Sequence, residues 1–194
     1  LLLAAGRVDE IETRMDLEGA LKTAAASGDR EGVAELHYIL GRVARERAQH
    51  AQEIDHFTQT LTHSANPAVL LFSRFFRGLA HYQMGATKDA AGDSLEGSGQ
   101  YADSVADLDA VLQGEVTPEM RSVAYRTRGV ALTRLGRSND AIQAYETLIG
   151  TARSPEERTE FELMLMELYY DLGQLQATEV AARMLIAAKV QEES

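Results

Sequence analysis

The segment GRSNDAIQAYETLIGTARSP at residues 136–155 superposes on GQYADSVADLDAVLQGEVTP at residues 99–118 with an offset of 37 residues. In both, small and apolar residues recur at helical spacing, and Gly at the start and Pro at the end punctuate the run. A further step of 37 places Gly173 on Gly136, so that MELYYDLG at 166–173 falls on the register of VALTRLG at 130–136. Self-similarity at a fixed period of this length is the signature of stacked supersecondary units.

Working toward the N-terminus, Gly41 in HYILGRVARERA and Gly78 in FSRFFRGLAHYQMG are also 37 apart, whereas Gly78 and Gly129 are 51 apart. The prolines carry the same anomaly. Gly41 to Pro67 and Gly129 to Pro155 are each 26 residues, but Gly78 to Pro118 is 40. One insertion of 14 residues in the second unit explains both, and the text places it near 86–99, ATKDAAGDSLEGSG. That segment is small, polar and Gly-rich, and reads either as a solvated loop or as an extra helical turn or two. Gly92 within it is expected to tolerate Ala. The units are then 31–67, 68–118, 119–155 and 156–190, with helices near 31–47, 51–64, 68–84, 101–113, 119–135, 138–150, 156–172 and 175–190. Residues 1–30 read as an irregular or truncated leading pair.

The residues at these offsets resemble the tetratricopeptide repeat (TPR) family over about 31–190. In the third unit the matches are Tyr125, Gly129, Leu132, Gly136, Ala141, Tyr145 and Pro155; in the first they are His37, Leu40, Gly41, Phe57 and Pro67. The fourth departs from the pattern, with Met166 and Ala182 where the others hold a small residue and an aromatic. The resemblance implies an all-α, right-handed α-solenoid of antiparallel helix pairs. Physically, the interior Gly lets the second helix cross the first closely, and Gly136 and Gly173 end first helices in the left-handed conformation.

Composition agrees and narrows the function. Only three prolines interrupt 194 residues, and there is no cysteine, which removes disulfides, thiol nucleophiles and Cys-based zinc sites. A formal charge of −11 disfavours nucleic acid and anionic membranes as partners. No run approaches the length of a membrane span. Leu1–Ala5 is apolar, lacks a basic region before it, and is not read as a signal peptide. The leading Leu reads as the start of an excised piece of a longer protein, either cytoplasmic or periplasmic.

Catalytic chemistry has no residues to rest on. His37, His50, His56, His63 and His81 lack the HExxH spacing, so no metal is expected. Ser73, Ser94 and Ser104 have no GxSxG elbow, and no phosphate loop follows a strand. Neither an enzyme nor a cofactor is expected.

The family resemblance implies a concave face lined by first helices. Carried over, it names Glu35, Tyr38, Arg42, Arg45 and Glu46, then Phe72, Phe75, Leu79, Tyr82 and Gln83. From the later units it names Val123, Arg126, Val130, Thr133 and Arg134, then Glu160, Leu163, Glu167, Tyr170 and Asp171. Of these, Tyr38, Arg42, Arg45, Phe75, Tyr82, Arg126, Arg134, Glu167 and Tyr170 are the expected contact residues, since Arg and aromatics dominate binding hot spots. The positions of a Lys/Asn carboxylate clamp hold Arg, Tyr and Glu, which does not support the chaperone-binding subgroup. The expected role is a non-catalytic scaffold for a protein or peptide, with self-association possible. Two alternatives are a docking segment of a bacterial envelope or polysaccharide-export assembly, and a ligand-sensing regulatory module.

Overall fold

The computed structural model describes residues 16–192, with side chains through Ala187. The first part of the leading pair, residues 1–15, lies outside the described residues. Among those described there is no strand. The helices are α1 (Leu17–Ser27), α2 (Arg30–Glu46), α3 (His50–His63), α4 (Pro67–Ala90), α5 (Ser94–Leu112), α6 (Pro118–Arg134), α7 (Ser138–Gly150), α8 (Pro155–Asp171) and α9 (Leu175–Glu192).

Contacts divide the chain into two units, Leu1–Gly114 and Glu115–Ser194. In the first, α1 packs on α2, α2 on α3, α3 on α4 and α4 on α5. In the second, α6 packs on α7, α7 on α8 and α8 on α9. Within each unit, neighbours in sequence are thus neighbours in space, as short connections require.

Local chemistry sets the helix starts. Pro67, Pro118 and Pro155 each open a helix, where a missing N–H costs nothing. The residue before each of them, Asn66, Thr117 or Ser154, accepts a hydrogen bond from a first-turn N–H. Asp16, Asp29 and Asp93 cap α1, α2 and α5 in the same way. The proline therefore begins the next first helix, and the polar residue ahead of it fixes where.

First helices end alike. Gly92, Gly136 and Gly173 have φ of 83°, 70° and 67°, and Ala48 stands at the corresponding place after α2 with φ 53°. In all four the next residue's N–H reaches back five residues, as in Gln49 to Ala44 and Arg137 to Leu132, both 2.9 Å. Gly92 is therefore a left-handed turn residue, which overturns its expected tolerance of Ala. Ala48 bears the conformational penalty that the glycines avoid.

Three of the helix pairs close over a glycine. A Cβ on Gly41 would meet the Phe57 ring at 2.9 Å, and one on Gly129 would meet Tyr145 at 2.7 Å. The middle pair has two such sites. Gly78 faces Leu108 at 3.1 Å, and Gly85, two turns later, faces Tyr101 at 2.8 Å. Gly85, not Gly78, is pressed against the second-helix aromatic. Phe57, Tyr101 and Tyr145 are all buried.

The segment 86–99 is helix to Ala90, a turn, and helix again from Ser94. α4 has 24 residues against 17 in α2, α6 and α8, and α5 has 19 against 14 in α3 and 13 in α7. The extra length is shared between two antiparallel helices, about two turns on α4 and about one and a half on α5. Tyr101 donates from its hydroxyl to Asp89 at 2.9 Å, and Lys88 pairs with Glu96 at 2.8 Å near this tip. At the other end the Arg77 guanidinium donates twice to buried Asp107, both at 2.7 Å, and bonds Thr58 of α3 at 3.1 Å. Desolvating such a pair is offset only when the geometry is this complete.

Two outcomes follow for denaturant midpoints. Gly85→Ala should destabilise by about 1–3 kcal/mol through overpacking against Tyr101. Gly99→Ala, whose Cβ position is open, should be neutral or stabilising by up to about 1 kcal/mol from helix propensity. At the turns, Ala48→Gly should stabilise and Gly92→Ala destabilise, each by about 1 kcal/mol, and equal midpoints would refute the turn assignment.

Candidate functional site

The first-helix residues of unit 1 converge on one ring. Phe76 of α4 lies 5.7 Å from Phe57, 6.4 Å from Phe72 and 5.5 Å from Phe75, centroid to centroid. The guanidinium carbons of Arg42 and Arg45 sit 4.7 Å and 5.0 Å from its centroid. Two cations beside one ring are each favourable with the ring but not with each other. The arrangement holds because Arg45 is neutralised: it donates to Glu53 at 3.1 Å, a fully buried carboxylate whose second oxygen lies 3.3 Å from His50 Nδ1. Arg42 has no carboxylate partner among the described residues, and its buried Nε has no hydrogen-bond partner.

The other expected residues of this unit are placed as follows. Tyr38 is half-buried, its ring edge-on to Phe57 at 5.9 Å. Tyr82 is half-buried against Tyr101, also at 5.9 Å. Phe75 is only 8% exposed and belongs to the core, whereas Phe72 is exposed. Phe76 was not singled out from sequence. The signal was present in FSRFFRG: Phe72 and Phe76 are four apart, hence on one face, while Phe75 and Phe76 differ by about 100°.

In unit 2, Arg126 of α6 pairs with Glu160 of α8 at 3.2 Å and lies 5.4 Å from the Phe161 ring centroid. Both charged groups are well exposed, so the pair contributes little to stability. Arg134 and Glu167 are exposed and, with Val130, Thr133 and Asp171, border a hollow of about 460 Å³. Tyr170, 66% exposed, stands next to it in α8.

The histidines are arranged differently from a metal centre. Among the described residues no three His, Asp or Glu side chains converge as ligands. His37 of α2 and His56 of α3 instead bond Nδ1 to Nδ1 at 3.1 Å, one ring donating and the other accepting. Burial pushes both below the ordinary 6.5, and for His37 the neighbouring His56 and His63 push the same way while Asp55 opposes them. His81 similarly bonds Gln100 across α4 and α5 at 2.8 Å.

The folded state therefore favours neutral His37 and His56, while the unfolded chain takes up protons near the ordinary value. Stability is fully present above pH 6.5 and falls as pH drops below it toward the folded-state values. Glu119 and Glu156 are held below 4.5 chiefly by N-terminal N–H groups of their helices, so their contribution is lost only at lower pH. Urea midpoints should thus decline as pH falls below 6.5, and His37→Gln should flatten that decline. An unchanged slope in the variant would assign it elsewhere.

No family model matches the sequence, and no curated protein matches it. Solved structures do. One is a crystal structure from Podosopora anserina described as a kinesin light chain with nearly identical TPR-like repeats. It matches 98% of this chain and 91% of its own with a TM-score of 0.58 at 17% identity. A single-substitution variant of that protein gives 0.57 at 16% identity over 99% and 91%. At this identity the likeness concerns the fold alone. Over the described residues the chain has a TPR-like, all-helical repeat fold.

Proposed function

We propose that this chain is a non-catalytic scaffold that binds a partner protein or peptide through the faces of its first helices. The observation that carries the reading is Arg42. Its guanidinium lies over the Phe76 ring, yet among the described residues no carboxylate takes it. An arginine immobilised by stacking loses little further entropy when it donates to a ligand. Phe72 and Tyr38 flank it with apolar area, which is the usual composition of a hot spot. In unit 2, Arg126, Arg134, Glu167 and Tyr170 offer a second set of directional groups. The repeat boundaries 31–67, 68–118, 119–155 and 156–190 are part of the same proposal.

The partner class is further narrowed by charge. With 30 acidic against 19 basic residues, the chain repels a phosphate backbone, so protein rather than nucleic acid suits it. Among the described residues no helix is long and apolar enough to cross a membrane.

Panning a random peptide library on the wild-type chain tests the reading. Selected peptides should bind Arg42→Ala or Arg126→Ala more weakly by about 1–2 kcal/mol, with thermal midpoints nearly unchanged. Gln143→Ala and Thr147→Ala on α7 serve as controls and should bind normally. Peptides indifferent to the first-helix variants but lost with the α7 pair would place the interface on second helices.

A further inference from the structure

Basic side chains are scarce in this chain, 19 Lys and Arg against 30 Asp and Glu, yet four basic groups gather around one hollow of unit 1. Lys22 of α1, Arg30 and His37 of α2 and His63 of α3 line a space of about 410 Å³, with Leu21 and Val33 as its apolar wall. Three helices meet there because α1 and α3 both pack on α2. Arg30 donates to the Thr62 carbonyl at 3.2 Å, which holds its guanidinium against α3 next to the residue that precedes His63.

Most polar groups around the hollow are already engaged. His37 spends Nδ1 on His56. Asp29, the carboxylate of the lining, accepts from the Gly32 N–H at 2.9 Å as the cap of α2, and neighbouring Glu31 accepts from Ser64 and Ala65. Two groups are left over. Lys22, exposed at the rim, forms no ion pair among the described residues. His63 Nδ1 is buried and has no hydrogen-bond partner there. A buried ring nitrogen left alone is costly, and such groups are few in folded proteins.

We propose that this hollow binds a small organic carboxylate, at a site apart from the contacts of Arg42 and Phe76. The carboxylate accepts from the N–H at His63 Nδ1 and meets the charges of Lys22 and Arg30, while its hydrocarbon part lies on Leu21 and Val33. Charge-assisted hydrogen bonds favour an anion over a neutral amide of the same shape. The apolar wall and the volume favour an organic acid over inorganic phosphate, which would leave Leu21 and Val33 wet. A cationic ligand is disfavoured by four basic groups set against one carboxylate that already caps a helix.

Nuclear magnetic resonance titration of the isotope-labelled full chain tests this, with hexanoate, hexylamine and inorganic phosphate as separate probes. Hexanoate should shift the amide signals of Val33 and His63 saturably and move the His63 Nδ1 resonance, whereas hexylamine and phosphate should leave them in place. His63→Phe keeps a ring, and Lys22→Gln changes an exposed side chain without disturbing the fold. Each should weaken hexanoate binding about tenfold. Hexanoate that shifts nothing, phosphate or hexylamine that shifts the same signals to the same extent, or variants that bind hexanoate as wild type does would each overturn the proposal.

Discussion

The contact on which the helix pairs depend is a glycine with an aromatic ring pressed where a Cβ would stand, at Gly41–Phe57, Gly85–Tyr101 and Gly129–Tyr145. Backbone meets ring at a distance no other residue type allows. That approach fixes how closely the helices of a pair cross, and thereby which of their remaining faces stay open. Seven residues after each of these glycines the first helix ends in a left-handed residue. Packing and turn are therefore spaced by two helical turns, so one heptad of sequence sets both where a pair touches and where it reverses.

That spacing explains what was legible in the sequence and what was not. Helix starts could be read because Asn66-Pro67, Thr117-Pro118 and Ser154-Pro155 are local signals that act through neighbouring N–H groups. The packing glycine of the long pair could not. Gly41, Gly85 and Gly129 are evenly 44 apart, as are Phe57, Tyr101 and Tyr145, yet Gly41 to Gly78 fits a repeat of 37 as well. The two readings differ by one heptad, which returns a helix almost to the same face. Periodicity alone has no power to choose between them, and the contact with Tyr101 decides. The added residues then appear as longer helices instead of a loop.

The candidate site shows the same limit at finer scale. Assigning Phe75 to the open face and overlooking Phe76 is an error of one residue, but one residue on a helix is a rotation of about 100°. A repeat consensus locates a face to within about that angle, and tertiary packing settles the rest. Phe76 is held by Phe57 from the preceding second helix, a contact between residues 19 apart that no local pattern announces.

Electrostatics then separates arginines that hold the fold from one that is free to act. Arg45 and Arg77 answer the carboxylates of Glu53 and Asp107, which are buried and would be costly if left alone. Their removal should unfold structure along with any surface they carry, so loss of binding in those variants would not identify a contact. Arg42 lies on the same aromatic ring as Arg45 but answers no buried carboxylate. It lies over the Phe76 ring, while among the described residues no carboxylate pairs with it and its Nε has no hydrogen-bond partner. A residue held by the fold but not needed by it is the kind that can be given over to recognition, and the repeat supplies it because α2, which carries Arg42, is already packed on both sides, by α1 and α3.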